Sequence, residues 1–220
     1  MEANCTGSEG DGILHVGQQQ RDFGRPALVF TVGRSGSSLV THILKEHGCW
    51  IGNSRPGDEH NPLGYFENLE LKRRMKAHHG WNLTGPFPTT TIGWRAIVRT
   101  ILNCQGYVSG PWAFKTGVHY AGIWAEFSPI VIKVIRHRDE IIRSYQRYGG
   151  IHRALSQEDF LSVIDRGLER LKTMPGIEVD TDDLVTGRRD QIRTAVQAMA
   201  LPYDEKTTDS IVNVRFWHAG

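Results

Sequence analysis

The sequence predicts an α/β fold: a three-layer sandwich with a mostly parallel central sheet flanked by helices. Short apolar runs bounded by glycine or proline, which are typical of buried strands, alternate with segments whose apolar residues recur at helical spacing. The strand candidates are apolar along their whole length, which is the pattern of a parallel sheet covered on both faces. The 220 residues are enough for one such domain.

Four runs are predicted to form the sheet. In chain order they are Ala27–Val32, Trp112–Lys115, Ile130–Ile135 and Gly176–Asp180. Pro26 and Gly33 bound the first run, and the third leads directly into charged residues that begin at Arg136. In open α/β sheets ligands bind at the carboxyl ends of the strands, so Arg136 is a candidate binding residue.

Helical spacing predicts the remaining elements. The helices are expected from Ser37 to Gly48, over Asn68–His79, over Ile97–Leu102, after Asp139, over Phe160–Leu171 and over Ile192–Met199. Residues 1–24 are polar and glycine-rich, which predicts a flexible leader, and residues 25–220 are expected to form the domain.

Composition narrows the function classes. Lys and Arg number 26 against 24 Asp and Glu, so a nucleic-acid binder that uses its whole surface is not expected, and any anion site must be a local concentration of charge. No apolar run is long enough to span a membrane. Cys5, Cys49 and Cys104 fit neither a disulfide framework nor a zinc site, and the first residues do not read as a secretory signal. We therefore expect a cytoplasmic protein without a metal.

The turn between the first strand and the first helix has the composition of an anion site. It reads Thr31-Val32-Gly33-Arg34-Ser35-Gly36-Ser37-Ser38. Gly33 and Gly36 can adopt positive φ and let the backbone approach an anion, while the helix that follows presents its positive end. Ser37 can cap that helix, and Arg34 adds a permanent charge. A tight strand–helix turn with a serine cap is the alternative interpretation.

The type of anion is restricted by what this turn lacks. A nucleotide-triphosphatase loop would read GxxxxGK followed by serine or threonine, and a dinucleotide loop would read GxGxxG. Neither pattern is present, because Gly36 is followed directly by Ser37 and Ser38. The turn therefore suits a phosphate group but not metal-assisted ATP chemistry.

Several motifs together resemble one known family. VGRSGSSLV resembles the 5′-phosphosulfate loop of sulfotransferases that use 3′-phosphoadenosine 5′-phosphosulfate (PAPS), and IKVIRHRDEIIRSYQRYG resembles their 3′-phosphate segment, with Arg136 and Ser144 at the family's spacing. NPLGYFEN, the strand that carries Lys115, and VDTDDLV are similar to further family segments in the same order. The resemblance covers residues 27–200 and implies a P-loop-like fold.

The resemblance also implies a set of site residues. Those expected to bind the nucleotide are Gly33, Arg34, Ser35, Gly36, Ser37, Ser38, Arg136, Ser144 and, in a late closing segment, Arg215. Arg34 and Lys115 would stabilise the charge that grows on the departing phosphate. The implied reaction is in-line transfer of a sulfuryl group to a hydroxyl or amine of a small molecule or glycan, with 3′-phosphoadenosine 5′-phosphate (PAP) as product and no metal.

The general base is left open between a carboxylate and a histidine. Cytosolic members of the family have Lys-Thr-His where this chain has Lys115-Thr116-Gly117, and His119 two residues later is a substitute candidate. Glu67 matches the glutamate that other members use, and Glu59 or His60 are nearby alternatives. The remaining alternatives are a small P-loop kinase and a nucleotide-binding relic that has lost catalysis.

Overall fold

Among the residues that it describes, the central sheet of this computed structural model is four-stranded and fully parallel. Residues 23–58, 61, 63–80, 85–89, 92–147 and 155–212 are described. The strands are β1 (Ala27–Thr31), β2 (Ala113–Gly117), β3 (Ile130–Ile135) and β4 (Ile177–Asp180), in the order β2-β1-β3-β4. All three neighbouring pairs are parallel. These are the four predicted strands, and the predicted α/β class is confirmed.

Helices connect the strands. They are α1 (Ser37–Glu46), α2 (Leu69–His79), α3 (Trp94–Cys104), α4 (Arg138–Arg147), α5 (Gln157–Thr173), α6 (Thr181–Val185), α7 (Asp190–Ala198) and α8 (Glu205–Ile211), with a 3-10 segment at Val118–Phe127. The sequence did not predict α6, α8 or the 3-10 segment. The last is apolar nearly all round and so has no helical stripe, while α6 and α8 are short and are held by the caps Asp180 and Asp204.

The core lies on both faces of the sheet, because successive residues of a strand point to opposite faces. Ala27 and Val29 pack with α1, α7 and α8, whereas Leu28 and Phe30 pack with α3, α5 and the 3-10 segment. All four side chains are almost completely buried. Burying a leucine or phenylalanine side chain stabilises the fold by roughly 1.5–3 kcal/mol. The predicted three layers are therefore present.

The carboxyl ends of the strands meet at one edge of the sheet. Thr31, the last residue of β1, is in register with Gly117 of β2 and Val134 of β3. The segments that follow these three strands must therefore leave the sheet side by side. This edge brings together stretches that are about one hundred residues apart in the chain.

Two further observations bear on the sequence predictions. In the described part of the chain, no helix is both long and apolar enough to cross a bilayer. Cys49 is buried in the core and Cys104 is exposed.

Candidate active site

The turn after β1 reaches α1 through two left-handed residues. Arg34 has φ of 66° and Gly36 has φ of 84°, whereas Gly33, which was expected to be left-handed, is not. Gly36 is the N-cap of α1 and no side chain caps the helix, so the prediction that Ser37 is the cap is wrong. The first N–H groups of a helix have no partner within it, which leaves the amides of Ser37 and Ser38 at the positive end of α1.

Gly33 is required for a different reason from the one predicted. A Cβ atom built on Gly33 would collide with the hydroxyl of Tyr145 on α4. The absence of a side chain lets α4 pack directly onto the turn, and the Tyr145 ring in turn packs edge-on against Phe160 at 4.9 Å between ring centroids. The turn after β1 and the helix after β3 are therefore in contact.

The three serines of the turn have different surroundings. The Ser35 hydroxyl is fully buried against the hydroxyl of Thr31, and the Ser37 side chain is also buried. The Ser38 hydroxyl instead accepts hydrogen bonds from Lys115 Nζ at 2.9 Å and from Asn61 Nδ2 at 3.2 Å. Ser38 is therefore the serine whose hydroxyl joins the charged side chains of the site.

Lys115 brings a buried positive charge to the end of α1. Its side chain is 4% exposed and extends from β2 on the face that packs against α1. Burial lowers its pKa to about 8, although the neighbouring Glu67 carboxylate acts in the opposite direction. An anion placed beside this ammonium group would stabilise its charged form.

The Glu67 carboxylate is held between two lysines. Lys115 Nζ lies 3.5 Å from Oε1, and Lys72 donates a short hydrogen bond to Oε2. Burial would raise the pKa of Glu67, but the charges of Lys115 and Lys72 outweigh burial and hold the pKa below its usual range. The carboxylate is therefore ionised at neutral pH and able to accept a proton.

The neighbours of Glu67 in the chain fix its position. Phe66 is left-handed, with φ of 51°, and its ring stacks on His42 of α1 at 4.5 Å between centroids. Asn68 is the N-cap of α2, and its side chain accepts a hydrogen bond from the Leu71 amide at 3.1 Å. A non-glycine residue in the left-handed region carries a backbone cost that the surrounding packing has to offset.

The two predicted nucleotide-binding clusters touch. Arg34 Nε donates to the Ser144 hydroxyl at 3.1 Å, and an Nη atom of Arg136 lies 3.5 Å from the Arg34 carbonyl oxygen. The Arg136 side chain is 6% exposed and is flanked by the carboxylates of Glu140 at 3.6 Å and Asp182 at 3.4 Å. The turn and the Arg136–Ser144 pair therefore lie on one side of the molecule.

His119 lies in different surroundings from Glu67. It is buried in the 3-10 segment, where its ring packs against Phe87 at 5.5 Å. Burial, with the charge of Arg166 as a second cause, lowers its pKa. No contact recorded in the described residues joins His119 to Glu67 or Lys115. The sequence candidates Glu59, His60 and Arg215 fall in stretches outside the described residues.

Sequence reasoning did not single out four residues that organise this edge. They are Asn61, Lys72, Thr181 and Asp182. Thr181 donates from its hydroxyl to the carbonyl oxygens of Ser35 at 2.8 Å and Ile135 at 3.1 Å, and so links the turn to β3. Asn61 falls within the motif NPLGYFEN, and Thr181 and Asp182 fall within VDTDDLV, which was the available signal. Across the described ranges, no group of three or more His, Cys, Asp or Glu is arranged to hold a metal.

Comparison with known proteins finds remote similarity among solved structures. No family model matches the sequence, and no curated protein matches it. Among solved structures, the chain is similar to the sulfotransferase STF1 of Mycobacterium tuberculosis H37Rv, with 13% identity and a TM-score of 0.48. The match covers 88% of this chain and 72% of that chain. At this identity, function has to be argued from the side chains of the site.

Proposed function

We propose that this protein is a PAPS-dependent sulfotransferase that transfers a sulfuryl group to a hydroxyl or amine of an acceptor. The proposal rests on one observation above all. The Glu67 carboxylate, Lys115, the turn after β1 and the Arg136–Ser144 pair converge on the same sheet edge, joined by the contacts Arg34–Ser144, Lys115–Ser38 and Lys115–Glu67. The sequence resemblance described above names the nucleotide.

The donors at this edge fit a nucleotide with phosphate groups at both ends. The amides of Ser37 and Ser38 and the side chain of Lys115 can hold the 5′-phosphosulfate, since all lie at the start of α1. Arg136 and Ser144 can hold the 3′-phosphate, and Arg34 lies between the two groups. Asp182 and Glu140 already neutralise Arg136 in part, so an incoming phosphate has to compete with them.

The transfer assigns one task to each charged residue. Glu67 accepts the proton of the acceptor as the new oxygen–sulfur or nitrogen–sulfur bond forms. The sulfur–oxygen bond to the 5′-phosphate breaks, and PAP leaves with the electron pair. Lys115 and Arg34 stabilise the negative charge that grows on that phosphate. PAPS supplies the activated sulfuryl group. The side chains named above can then stabilise the charges that develop during the transfer.

The binding of PAP tests the nucleotide assignment. PAP at 100 times its Kd should raise the melting temperature by the equivalent of about 2.7 kcal/mol of stabilisation, because it binds the folded state alone. ATP with magnesium should not do so, and Arg136→Ala should abolish the response to PAP. Equal responses to the two nucleotides, or no response to either, would contradict the proposal and, in the first case, revive a P-loop kinase.

The variant Glu67→Gln tests the base separately. It keeps the size of the side chain and removes the proton-accepting charge, so turnover of labelled PAPS should fall by about 10²–10⁴-fold. The thermal response to PAP should be retained. His119→Gln is the matched control and should keep turnover. If Glu67→Gln turns over normally, Glu67 is not the base. If PAP binds but the native protein sulfates no acceptor, the result favours the alternative of a nucleotide-binding relic that has lost catalysis.

A further inference from the structure

The segment that leads to Glu67 also reaches the turn after β1. The chain folds back on itself there, because the Arg55 amide donates to the Glu67 carbonyl oxygen at 3.1 Å and the Tyr65 amide donates to the Arg55 carbonyl oxygen at 3.2 Å. Asn61 belongs to this segment, and its side chain contacts the Ser38 hydroxyl. One segment therefore carries both the proposed base and an amide group that reaches the start of α1.

The main chain of Asn61 is held by hydrogen bonds of its own. Its N–H group donates to the Asp58 carboxylate at 3.0 Å, and its carbonyl oxygen accepts from the Gly64 amide at 3.0 Å. The Tyr65 hydroxyl donates to the same Asp58 carboxylate at 2.8 Å. The position from which the Asn61 side chain extends is therefore fixed without any help from Ser38.

The surroundings of the Asn61 side chain determine which way its amide group faces. Nδ2 lies 2.6 Å from the Gly64 carbonyl oxygen and 3.2 Å from Ser38 Oγ. A carbonyl oxygen only accepts hydrogen bonds, so the atom beside it must be the NH₂ group, which has one hydrogen for Gly64 and one for Ser38. Asn61 is therefore a donor to the Ser38 hydroxyl.

Two donors occupy the acceptor positions of the Ser38 hydroxyl. Lys115 Nζ donates to it at 2.9 Å and Asn61 Nδ2 at 3.2 Å, and neither group is able to accept in return. A hydroxyl has two lone pairs and one hydrogen, so only its O–H remains for a further contact. That O–H faces the Tyr65 carbonyl oxygen at 3.4 Å, which is long for a hydrogen bond between oxygens. An anion at the start of α1 would therefore meet the hydroxyl hydrogen and not a lone pair.

We propose that Asn61 is a positioning residue for the 5′-phosphosulfate, because Asn61 and Lys115 together make Ser38 a hydrogen-bond donor to that group. The inference rests on the proposed function, since it adds a residue to the same site. Asn61 acts through Ser38 and does not need to touch the nucleotide. With Lys115 as its only donor, the hydroxyl would keep one lone pair, which would repel the anion whenever it turned toward it.

Two nucleotides that differ at the 5′ end test this role by calorimetry. PAP carries the 5′-phosphate, whereas adenosine 3′-monophosphate lacks it and keeps the 3′-phosphate. Asn61→Ala should weaken the binding of PAP about tenfold, equivalent to about 1.4 kcal/mol, and leave the affinity for adenosine 3′-monophosphate unchanged. An equal loss for both nucleotides, or a loss for neither, overturns the proposal.

A control variant separates this effect from a general disturbance of the segment. Arg55 lies on the same segment, and its exposed side chain pairs with Asp58 at 3.0 Å rather than with Ser38. Exposed ion pairs contribute little, so Arg55→Gln should keep the affinity for both nucleotides. If Arg55→Gln weakens PAP as much as Asn61→Ala does, the effect belongs to the segment and not to the Asn61 side chain.

A double-mutant cycle shows whether Asn61 acts through Ser38. Ser38→Ala removes the hydroxyl and should weaken PAP at least as much as Asn61→Ala. Asn61→Ala added to Ser38→Ala should then leave the Kd for PAP unchanged, because the group that Asn61 orients is gone. Losses that add in the double variant overturn the proposal. The cycle decides the matter alone if adenosine 3′-monophosphate binds too weakly to be followed.

The failure of this inference differs from the failure of the proposed function. If the native protein does not bind PAP, the proposed function and this inference fall together. If the native protein binds PAP and Asn61→Ala binds it equally well, only the role of Asn61 is wrong. Chemical denaturation checks that each variant is folded. Asn61→Leu, which keeps the size of the side chain without its donor, replaces Asn61→Ala if the smaller side chain prevents folding.

Discussion

Glu67 is held in its ionised form by two lysines against the effect of burial. Lys72→Gln removes one of them, so the pKa of Glu67 should rise toward and beyond its usual range. Because the proposed base must be ionised to accept a proton, the acidic limb of kcat/KM should move to higher pH in this variant. Arg73→Gln should leave the limb unchanged. A limb that stays in place or moves to lower pH in Lys72→Gln would contradict this electrostatic account.

Lys115 titrates within the working range of pH. Burial lowers its pKa to about 8, and a bound anion would raise that pKa by stabilising the ammonium form. Above pH 8 the free protein has lost this proton and must take it up again on binding. The affinity for PAP, followed by calorimetry, should therefore fall as pH rises through about 8. Lys115→Met should bind PAP weakly and remove this dependence; a dependence that survives would assign the titration to another group.

Asp182 competes for Arg136. Its carboxylate lies 3.4 Å from the Arg136 guanidinium, on the side chain proposed to bind the 3′-phosphate. Asp182→Asn removes a charge that repels the phosphate and frees the guanidinium, so PAP should bind several-fold more tightly. Asp183→Asn is the neighbouring control, because Asp183 pairs with Arg188 instead. Weaker binding of PAP to Asp182→Asn would show that Asp182 positions Arg136 rather than competing with the ligand.

At the scale of residues, the sequence identified groups that stand next to strand ends. Arg34 and Arg136 could be named because a strand and its following turn fix where such side chains emerge, whereas Lys115 and Ser144 were implied by the resemblance to a family. Lys72 could not be assigned a role, since its partner Glu67 precedes the start of α2 and only the folded chain brings the two side chains together. The direction of the Ser35 side chain depends on its contact with Thr31, which no spacing reveals.

The start of α2 determines how Glu67 is presented. Asn68 caps the helix, and its side chain also donates to Gln105 at 2.7 Å and is 1% exposed. Asn68→Ala should cost about 2 kcal/mol, since it removes a cap and leaves buried polar groups without partners. Chemical denaturation measures the loss. Ser156→Ala removes an exposed cap from α5 and should cost about 1 kcal/mol. Equal losses would mean that the buried network adds nothing.

Among the helices, a regular spacing of apolar residues predicted an element correctly. The absence of such a spacing did not show that a segment is without helical structure. Both α1 and α7 carry apolar stripes and were predicted within a few residues. The Val118–Phe127 segment is apolar on nearly every side, because it is covered by α3 and α5, so no period marks it. Helix α6 depends on the Asp180 side chain, which accepts from the amides of Asp182 and Asp183. Tertiary packing and capping form these elements, and periodicity does not measure either.

The whole molecule places the proposed site on one edge of the sheet. Ligand binding there should slow hydrogen exchange together in the turn after β1, at the end of β2 and in the first turns of α4, because PAP would tie the three segments to each other. Helix α8 is capped by Asp204, which lies beside His47 at the end of α1 remote from the turn, so α8 serves as the internal reference. Protection of a single segment would contradict binding across the edge.

The strand order could be anticipated only in part. The apolar runs indicated a parallel sheet, and the right-handed crossovers of such sheets restrict the possible orders. No local sequence pattern places β1 between β2 and β3, because the strand order depends on how the connecting helices are distributed between the two faces of the sheet. The convergence of Arg34 with Ser144 follows from that order and was expected from the resemblance to a family rather than from the spacing of residues.

The close approach of Tyr145 to Gly33 has a consequence for selectivity. With no side chain between them, the turn packs directly against α4 and Arg34 donates to Ser144 across the contact, so this packing sets the separation of their donors. The site should therefore select a ligand by the distance between its two negatively charged groups. A ligand in which that distance differs should bind less tightly, even when its total charge is the same. An isomer of PAP that has its second phosphate on the adjacent ribose oxygen should bind less tightly than PAP.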